Sequence, residues 1–588
     1  MKELLMGNEA VAYGAILAGV ACVSGYPGTP STEVLETIAK KNPGHIHVEW
    51  SVNEKAGLEV AAGAAYAGAR SLVTMKQVGL NVASDPLMCV NYIGVKGGMV
   101  IYVADDPGPI SSQTEQDTRH FAKYAKMPIF DCSSPEEAFE MVQEAFDFSE
   151  RHGMPVILRS TTRVCHSCAS IEVPAFPEAR EVPGFEKDKR WVIFPRLSYM
   201  NKKRLFAAET SLGEAFSAYG KNEIIGNGKK GIACGGVCFA YVMDAIQGHE
   251  EEYTVFKVAT PYPFPTAKAK EFLAKVDSIA VFEELDPVIE DALIYLGAEQ
   301  VVGKRSGDVA EAGELSGEAV AKVLGIPSTA MTCDLSDAPE LPMRPPVLCA
   351  GCPHRASFYA VKKAMKGKKS IFCGDIGCYT LGNAMPLDMV DTCLCMGAGI
   401  TVAQGLYHVE KDTTNFAFVG DSTFFASGIT GVINAVYNKA DMILIVLDNH
   451  TTAMTGHQQH PGLGITVMNE PTAAIDIETV LKACGVSTCR KVDPFDQKAA
   501  IGAVKEAAEE NGVRAIIFRS PCIAVEKPNK ALKVDHDVCI GCGKCIRELG
   551  CPAMSKEGKK SVIDPKLCTG CGLCTSVCPK DAIGKEDK

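Results

Sequence analysis

No stretch of this 588-residue chain reaches the ~18 uninterrupted apolar residues that a membrane span needs, so membrane association would require a partner. Positive charge is also in short supply. A formal net charge of −12 argues against nucleic acid as the main partner, because neutralising phosphates needs a basic face. A basic leader is missing as well: the apolar run "AVAYGAILAGVACVSGYPG" follows Asn8 and Glu9, with no basic start beyond Lys2, and reads as a core helix running into a strand. There is no low-complexity segment, and no short-period repeat apart from one pair of cysteine runs. With 47% hydrophobic and 22% charged residues, the composition suits three or four soluble domains with substantial cores.

Cysteine, in contrast, is plentiful, at 25 residues. "CTGCGLCTSVCP" sets Cys568, Cys571, Cys574 and Cys578 in the spacing C-x2-C-x2-C-x3-C-P, which lets a backbone wrap a 4Fe–4S cube. "CIGCGKCIRELGCP" repeats it with Cys539, Cys542, Cys545 and Cys551, with a longer gap before the last cysteine. In two-cluster ferredoxins the fourth cysteine of each run serves the other cube. One cube therefore takes Cys539, Cys542, Cys545 and Cys578, and the second takes Cys568, Cys571, Cys574 and Cys551. Paired zinc knuckles are the alternative. Cluster ligation needs reduced thiols, which places the protein in a reducing compartment, the cytoplasm.

The rest of the chain reads as α/β. Residues 1–170 alternate helical patterns with apolar runs such as "SLVTM" and "GGMVIYVAD", the signature of parallel strands in a doubly wound sheet. Residues 171–200, rich in proline and charge, read as a linker. A smaller α/β domain follows over 201–335, with strand candidates "KGIACGG", "YTVFKVA" and "SIAVFEE". After the break "SDAPELPMRPP", a third α/β domain covers 347–525, with strand candidates "SIFCGDIG", "NFAFVGD", "MILIVLDN" and "RAIIFRS". A ferredoxin-like α+β tail over 534–588 completes the chain.

In the third domain, Gly420-Asp421 follows one strand and Asp448-Asn449 the next, with a crossover helix between. Both pairs emerge at carboxyl ends of neighbouring parallel strands, where α/β sheets bind ligands. A hard octahedral cation takes one or two protein groups plus phosphate oxygens. The Asp421 carboxylate, the Asn449 side-chain oxygen and a backbone carbonyl near Thr451 would supply the protein share for Mg2+. Gly420 would let the backbone approach a diphosphate, and the helix after Ser422 would point its N–H groups at it. These residues resemble the thiamine diphosphate motif, G-D-G followed after some 25 residues by N, with Ser422 in place of the third glycine.

Thiamine diphosphate needs an acid opposite its aminopyrimidine. "EWSVNEKAGLEVAAGAAYAGARSLV" offers Glu49, Glu54 and Glu59 around a helix of small residues. With a start near Ser51, Glu54 and Glu59 lie about 140° apart on that helix, so only one of them faces a cleft. Glu54 matches the coenzyme-activating glutamate that the resemblance implies. "SGYPGTPSTEV" looks like a substrate-carbonyl loop, which assigns Thr29 to the carbonyl. Arg119 is the candidate partner of the substrate carboxylate, because arginine offers a bidentate fork.

Together "YPGTPSTE", "EWSVNEK" and "CAGCPHR", in this domain order, resemble the alpha subunits of the indolepyruvate ferredoxin oxidoreductases, within the thiamine-dependent 2-oxoacid:ferredoxin oxidoreductases. The resemblance covers almost the whole chain. It implies that an arylpyruvate is decarboxylated on thiamine diphosphate, that electrons pass singly through iron–sulfur clusters to an external ferredoxin, and that coenzyme A takes the acyl group. It also implies a smaller beta subunit in an α2β2 assembly. Finally, it implies a third 4Fe–4S cluster beside the coenzyme on Cys349, Cys352, Cys378 and Cys522, from a C-x2-C pair, a cysteine some 25 residues on and a distant fourth. Two rival readings remain: an oxidoreductase for another 2-oxoacid, and a non-catalytic iron–sulfur electron-transfer scaffold.

Overall fold

The computed structural model describes residues 2–327 and 337–584 and divides into two compact units, Met1–Asp337 and Ala338–Lys588. The expected end of the small domain near 335 lies outside the described residues, as does the chain end from Lys585. Among the described residues no helix is long and apolar enough to cross a membrane.

The first unit opens on a six-stranded parallel sheet. Its order is His47–Trp50, Cys22–Gly25, Ser71–Lys76, Met99–Asp105, Val156–Thr161, Ile129–Asp131. Every residue of Met99–Asp105 is buried, as a central strand covered on both faces requires. The covering helices carry their own start and stop signals. In Pro135–His152, the Ser134 side chain accepts from the Glu137 N–H and proline stands in the first turn, while Gly153 closes the helix at φ 61°.

A second, five-stranded sheet follows: Val301–Val302, Ser278–Phe282, Lys230–Gly235, Tyr253–Val258, Glu223–Gly226. Only the last of these strands is antiparallel to its neighbour. The stretch read as a linker is not all linker. A 23-residue helix, Pro195–Ser217, begins inside it and buries Leu205, Leu212 and Phe216, which recur at helical spacing along one stripe.

The second unit is built on a five-stranded parallel sheet: Ser370–Cys373, Thr414–Gly420, Met442–Asp448, Val513–Arg519, Thr488–Val492. The edge strand Thr488–Val492, "TCRKV", has no apolar alternation to mark it and none of its residues is fully buried. Packed against this layer is the tail, two small antiparallel pairs, Lys533–Val534 with Ile583–Gly584 and Met554–Glu557 with Lys560–Ile563, around the helix Lys544–Leu549. Arg355 joins layer to tail: its Nη1 donates to the carbonyls of Leu549 (2.6 Å) and Gly550 (3.0 Å), and its Nη2 to that of Leu348.

Candidate functional site

Parallel pairing of Thr414–Gly420 with Met442–Asp448 sets Gly420 opposite Leu447 and brings the two following loops side by side. The Asn449 N–H donates to Asp421 Oδ2 at 3.1 Å, and the Ser422 N–H to Oδ1 at 2.8 Å. His460 Nε2 stands 3.2 Å from Asp421 Oδ2. Burial pushes the Asp421 carboxyl up, but His460 and the Ser422 N–H outweigh it and hold the group below the ordinary carboxylate value.

The Asn449 carboxamide turns its oxygen toward two other acceptors, the Thr451 carbonyl at 2.8 Å and Asp421 Oδ2 at 3.3 Å. So placed, that oxygen has no donor to accept from. Rotating the amide would let its NH2 donate to both oxygens, and a cation in their midst would hold it as it stands. An octahedral Mg2+ at 2.0–2.1 Å places neighbouring ligand oxygens about 3 Å apart.

Further polar atoms around this pocket lack partners. Thr451 Oγ1 and both ring nitrogens of His354 are buried without a hydrogen bond. His354 is 4% exposed, lies edge-on to Tyr379 at 5.5 Å, and is pushed down to about 4 by burial, against the pull of Asp421. Leaving such groups unsatisfied costs about 1–3 kcal/mol each. Ser422, the departure from the motif, accepts a hydrogen bond from Thr452 Oγ1 at 2.9 Å and so ties the two loops together. Gly420 has a steric reason besides phosphate access: a Cβ there would lie 2.6 Å from Tyr379 Cε1. From Asp421 to Tyr437 the chain is helical, with a π-helical turn at Phe424–Gly428, a form common at functional sites.

In the first unit, the helix expected near Ser51 starts at Glu54, capped by the Asn53 side chain accepting from the Ala56 N–H. Glu54 is buried, whereas Glu59 is exposed and pairs with Lys55. Burial pushes the Glu54 carboxyl up to about 7, against the opposing charge of Lys76. Gly79 makes room for it, since a Cβ there would fall 2.5 Å from Glu54 Oε1. Thr29 lies in the loop after Cys22–Gly25, and its carbonyl accepts from Ser111 Oγ at 3.1 Å.

Arg119 does not stand where the sequence reading put it. Its side chain is 1% exposed. Nε and Nη2 donate to Asp117, Nη1 donates to Glu283 at 2.6 Å, and Nη2 also serves the carbonyls of Glu284 and Asp286. The fork clamps the second sheet of the unit to the first, and no substrate reaches it. Burial opposes ionisation of Asp117, but the Arg119 guanidinium outweighs it and holds that carboxyl low. Replacing Arg119 with alanine would strand two buried carboxylates, so a loss of about 3–5 kcal/mol is expected. Calorimetry would show it as a marked downward shift of the first unfolding transition.

The cysteines gather in three places. One cavity in the tail is lined by Cys539, Cys542, Cys545 and Cys578, and another by Cys551, Cys568, Cys571 and Cys574. The second cavity is also bordered by Ala350, Gly351, Cys352 and Arg355. In the third place, burial pushes the Cys378 thiol up to about 11, with Cys522 and Cys349 near enough to add to it. The Cys352 thiol, pushed up to about 12 by burial, feels Cys349 as well. Among the described residues no three cysteine sulfurs lie within 4.8 Å of one another, whereas a tetrahedral zinc at 2.3 Å draws its sulfurs to about 3.8 Å.

The family described as thiamine pyrophosphate enzyme, C-terminal TPP binding domain, matches residues 375–518, and 4Fe-4S binding domain matches 561–584. Pyruvate flavodoxin/ferredoxin oxidoreductase, thiamine diP-bdg, matches 13–209. The indolepyruvate oxidoreductase subunit IorA of Methanothermobacter thermautotrophicus is 41% identical over 616 aligned positions, covering 100% of this chain and 98% of its own length. The chain belongs to the IorA family. The IorA of Archaeoglobus fulgidus is 38% identical, over 99% of this chain and 97% of its own. A 2-oxoglutarate synthase subunit KorA of Methanothermobacter marburgensis is 27% identical over only 31% of this chain. As an IorA-family member the chain is an oxidoreductase subunit whose matched domains bind thiamine pyrophosphate and a 4Fe–4S cluster.

No local pattern in the sequence marks Lys76, His460 or Asp375, whereas His354 stands two residues beyond Cys352 in "CAGCPHR". Asp375 is buried just past Ser370–Cys373, where it accepts from Tyr379 Oη (2.8 Å) and the Gly397 N–H (2.7 Å).

Proposed function

We propose that this chain is the catalytic subunit of a coenzyme-A-dependent enzyme that oxidatively decarboxylates arylpyruvates such as indole-3-pyruvate and reduces ferredoxin, working with a smaller beta subunit in an α2β2 assembly. The observation that carries the reading is the convergence of Asp421, Asn449 and Thr451 at the carboxyl ends of two neighbouring parallel strands, in a chain that aligns end to end with IorA proteins. Those oxygens fit Mg2+, and the orphaned Thr451 hydroxyl and the single N–H of the neutral His354 ring fit diphosphate oxygens.

Bound thiamine diphosphate supplies the carbon on which a 2-oxoacid loses carbon dioxide, and four-iron clusters take up electrons one at a time. The chain's own residues do the rest. Asp421, Asn449 and the Thr451 carbonyl hold the cation, and Gly420 and Ser422 position the turn at the helix start. Glu54, a buried carboxyl poised near 7, is the residue that would exchange a proton with a bound aminopyrimidine. Thr29 orients the substrate carbonyl. Cys349, Cys352, Cys378 and Cys522 hold a cluster near the coenzyme, and the two tail sets hold the next two, in the crossed pairing set out above.

Anaerobic co-purification with the beta subunit tests the reading. Viologen reduction should be fastest with indolepyruvate and phenylpyruvate and slow with pyruvate; a preference for pyruvate would favour a different 2-oxoacid, and no coenzyme in the purified complex would favour the scaffold. Asp421→Asn is expected to lower retained thiamine diphosphate and magnesium at least tenfold, read by thiochrome fluorescence and metal analysis, with tail iron unchanged.

A further inference from the structure

With Arg119 sealed inside the first unit, the substrate carboxylate needs another cation. We propose that Lys76 receives it. The proposal rests on the reading of the chain as a 2-oxoacid oxidoreductase and names the group that anchors the acid end of its substrate.

Lys76 is the last residue of Ser71–Lys76, so it leaves the sheet at the carboxyl ends of the strands, where α/β sheets take their ligands. Its stem crosses Gly28 of the Thr29 loop: a Cβ on that glycine would lie 3.3 Å from Lys76 Cγ and 3.4 Å from Cδ. The Ser111 hydroxyl, which donates to the Thr29 carbonyl, belongs to the same segment that Lys76 reaches. Cation, carbonyl loop and the buried Glu54 carboxyl therefore converge at one end of one sheet.

The ammonium is underused. Nζ donates to the Ser111 carbonyl and to Ser112 Oγ, both at 3.2 Å and both neutral. Among the described residues it makes no salt bridge, and the carboxylates of Asp106 and Glu54 act on it only from farther off. Asp106 is engaged elsewhere, accepting from the Ser111 N–H at 2.8 Å and from Thr162 Oγ1 at 2.6 Å. A partly buried ammonium whose hydrogen-bond partners are both neutral gains most from an arriving carboxylate. Lysine's flexible stem lets a point charge follow that group into place.

The test uses the assembled, coenzyme-loaded complex and the variants Lys76→Met and Lys76→Arg. Binding of indole-3-propionate and of its uncharged amide is measured by calorimetric titration, independently of turnover. Lys76→Met should weaken the carboxylate at least tenfold and leave the amide within twofold, with Lys76→Arg restoring most of the loss. In turnover, KM for indolepyruvate should rise at least tenfold with a smaller change in kcat and unchanged thiamine content. Equal losses for acid and amide, or no loss for either, would overturn the assignment. A wild-type complex that turns over no 2-oxoacid would instead defeat the proposed function, while the carboxylate-against-amide comparison would still decide Lys76.

Discussion

Glu54→Gln is expected to abolish turnover while leaving thiamine, magnesium and iron in place. General acid–base groups contribute about 10²–10⁴-fold, so arylpyruvate-dependent viologen reduction should fall at least about a hundredfold. Glutamine matches glutamate in shape and still fills the space beside Gly79, but it can neither accept nor return a proton. A variant within tenfold of the parent would remove Glu54 from the mechanism.

The same substitution should act on stability in the opposite direction. Glu54 is buried and its carboxyl sits at about 7, against 4.5 for an ordinary glutamate. A group whose value is raised on folding favours the folded state fully below its unfolded value, and that contribution is lost as the pH rises through the folded value. Well above pH 7 the native protein therefore carries a buried carboxylate at a cost of about 3 kcal/mol relative to acid conditions. Coenzyme-free Glu54→Gln should accordingly resist denaturant better than the parent at pH 8.5 and lose that advantage near pH 4.5. An activity-dead variant that is also destabilised at pH 8.5 would point to misfolding rather than to a missing proton.

The second large effect concerns iron. Three four-cysteine sets call for about twelve irons per chain at four per cube, and Cys352→Ala should bring the number to about eight. Decarboxylation of substrate should persist in that variant while ferredoxin reduction falls at least tenfold, because the acceptor nearest the coenzyme is gone and the two tail cages are intact. About eight irons in fully active parent protein would defeat the third cluster. In the metal-free protein the Cys352 thiol is held neutral by burial, so the site does not advertise itself as a reactive cysteine; only iron analysis and spectroscopy report on it.

Much of this architecture is legible in the sequence because it is repetitive or local. Strands such as "NFAFVGD" and "MILIVLDN" announce themselves as apolar runs ending in polar residues, and parallel pairing then puts Asp421 next to Asn449. The cysteine spacings carry their own geometry. Arg119 has one partner within reach of a local reading, Asp117 two residues before it, but Glu283 and Glu284, which complete the clamp, are more than 160 residues away, and the sequence does not show that they close over it. Lys76 is one basic residue in "TMKQVG", and its meaning comes from the loops that fold around it. The edge strand Thr488–Val492 escaped because cationic, half-exposed residues suit an edge and so mask the strand pattern.

The Arg355 clasp has a consequence for electron flow. Its guanidinium grips the carbonyl just before Cys349 and the carbonyl just before Cys551, one from each of two neighbouring cysteine sets. Tunnelling rates fall steeply with every added ångström between centres, so a tail hung on a loose tether would hand over electrons only in its rare close approaches. If both cysteine sets hold clusters as proposed, a guanidinium bonded to both segments would fix the gap between them by the dimensions of one side chain.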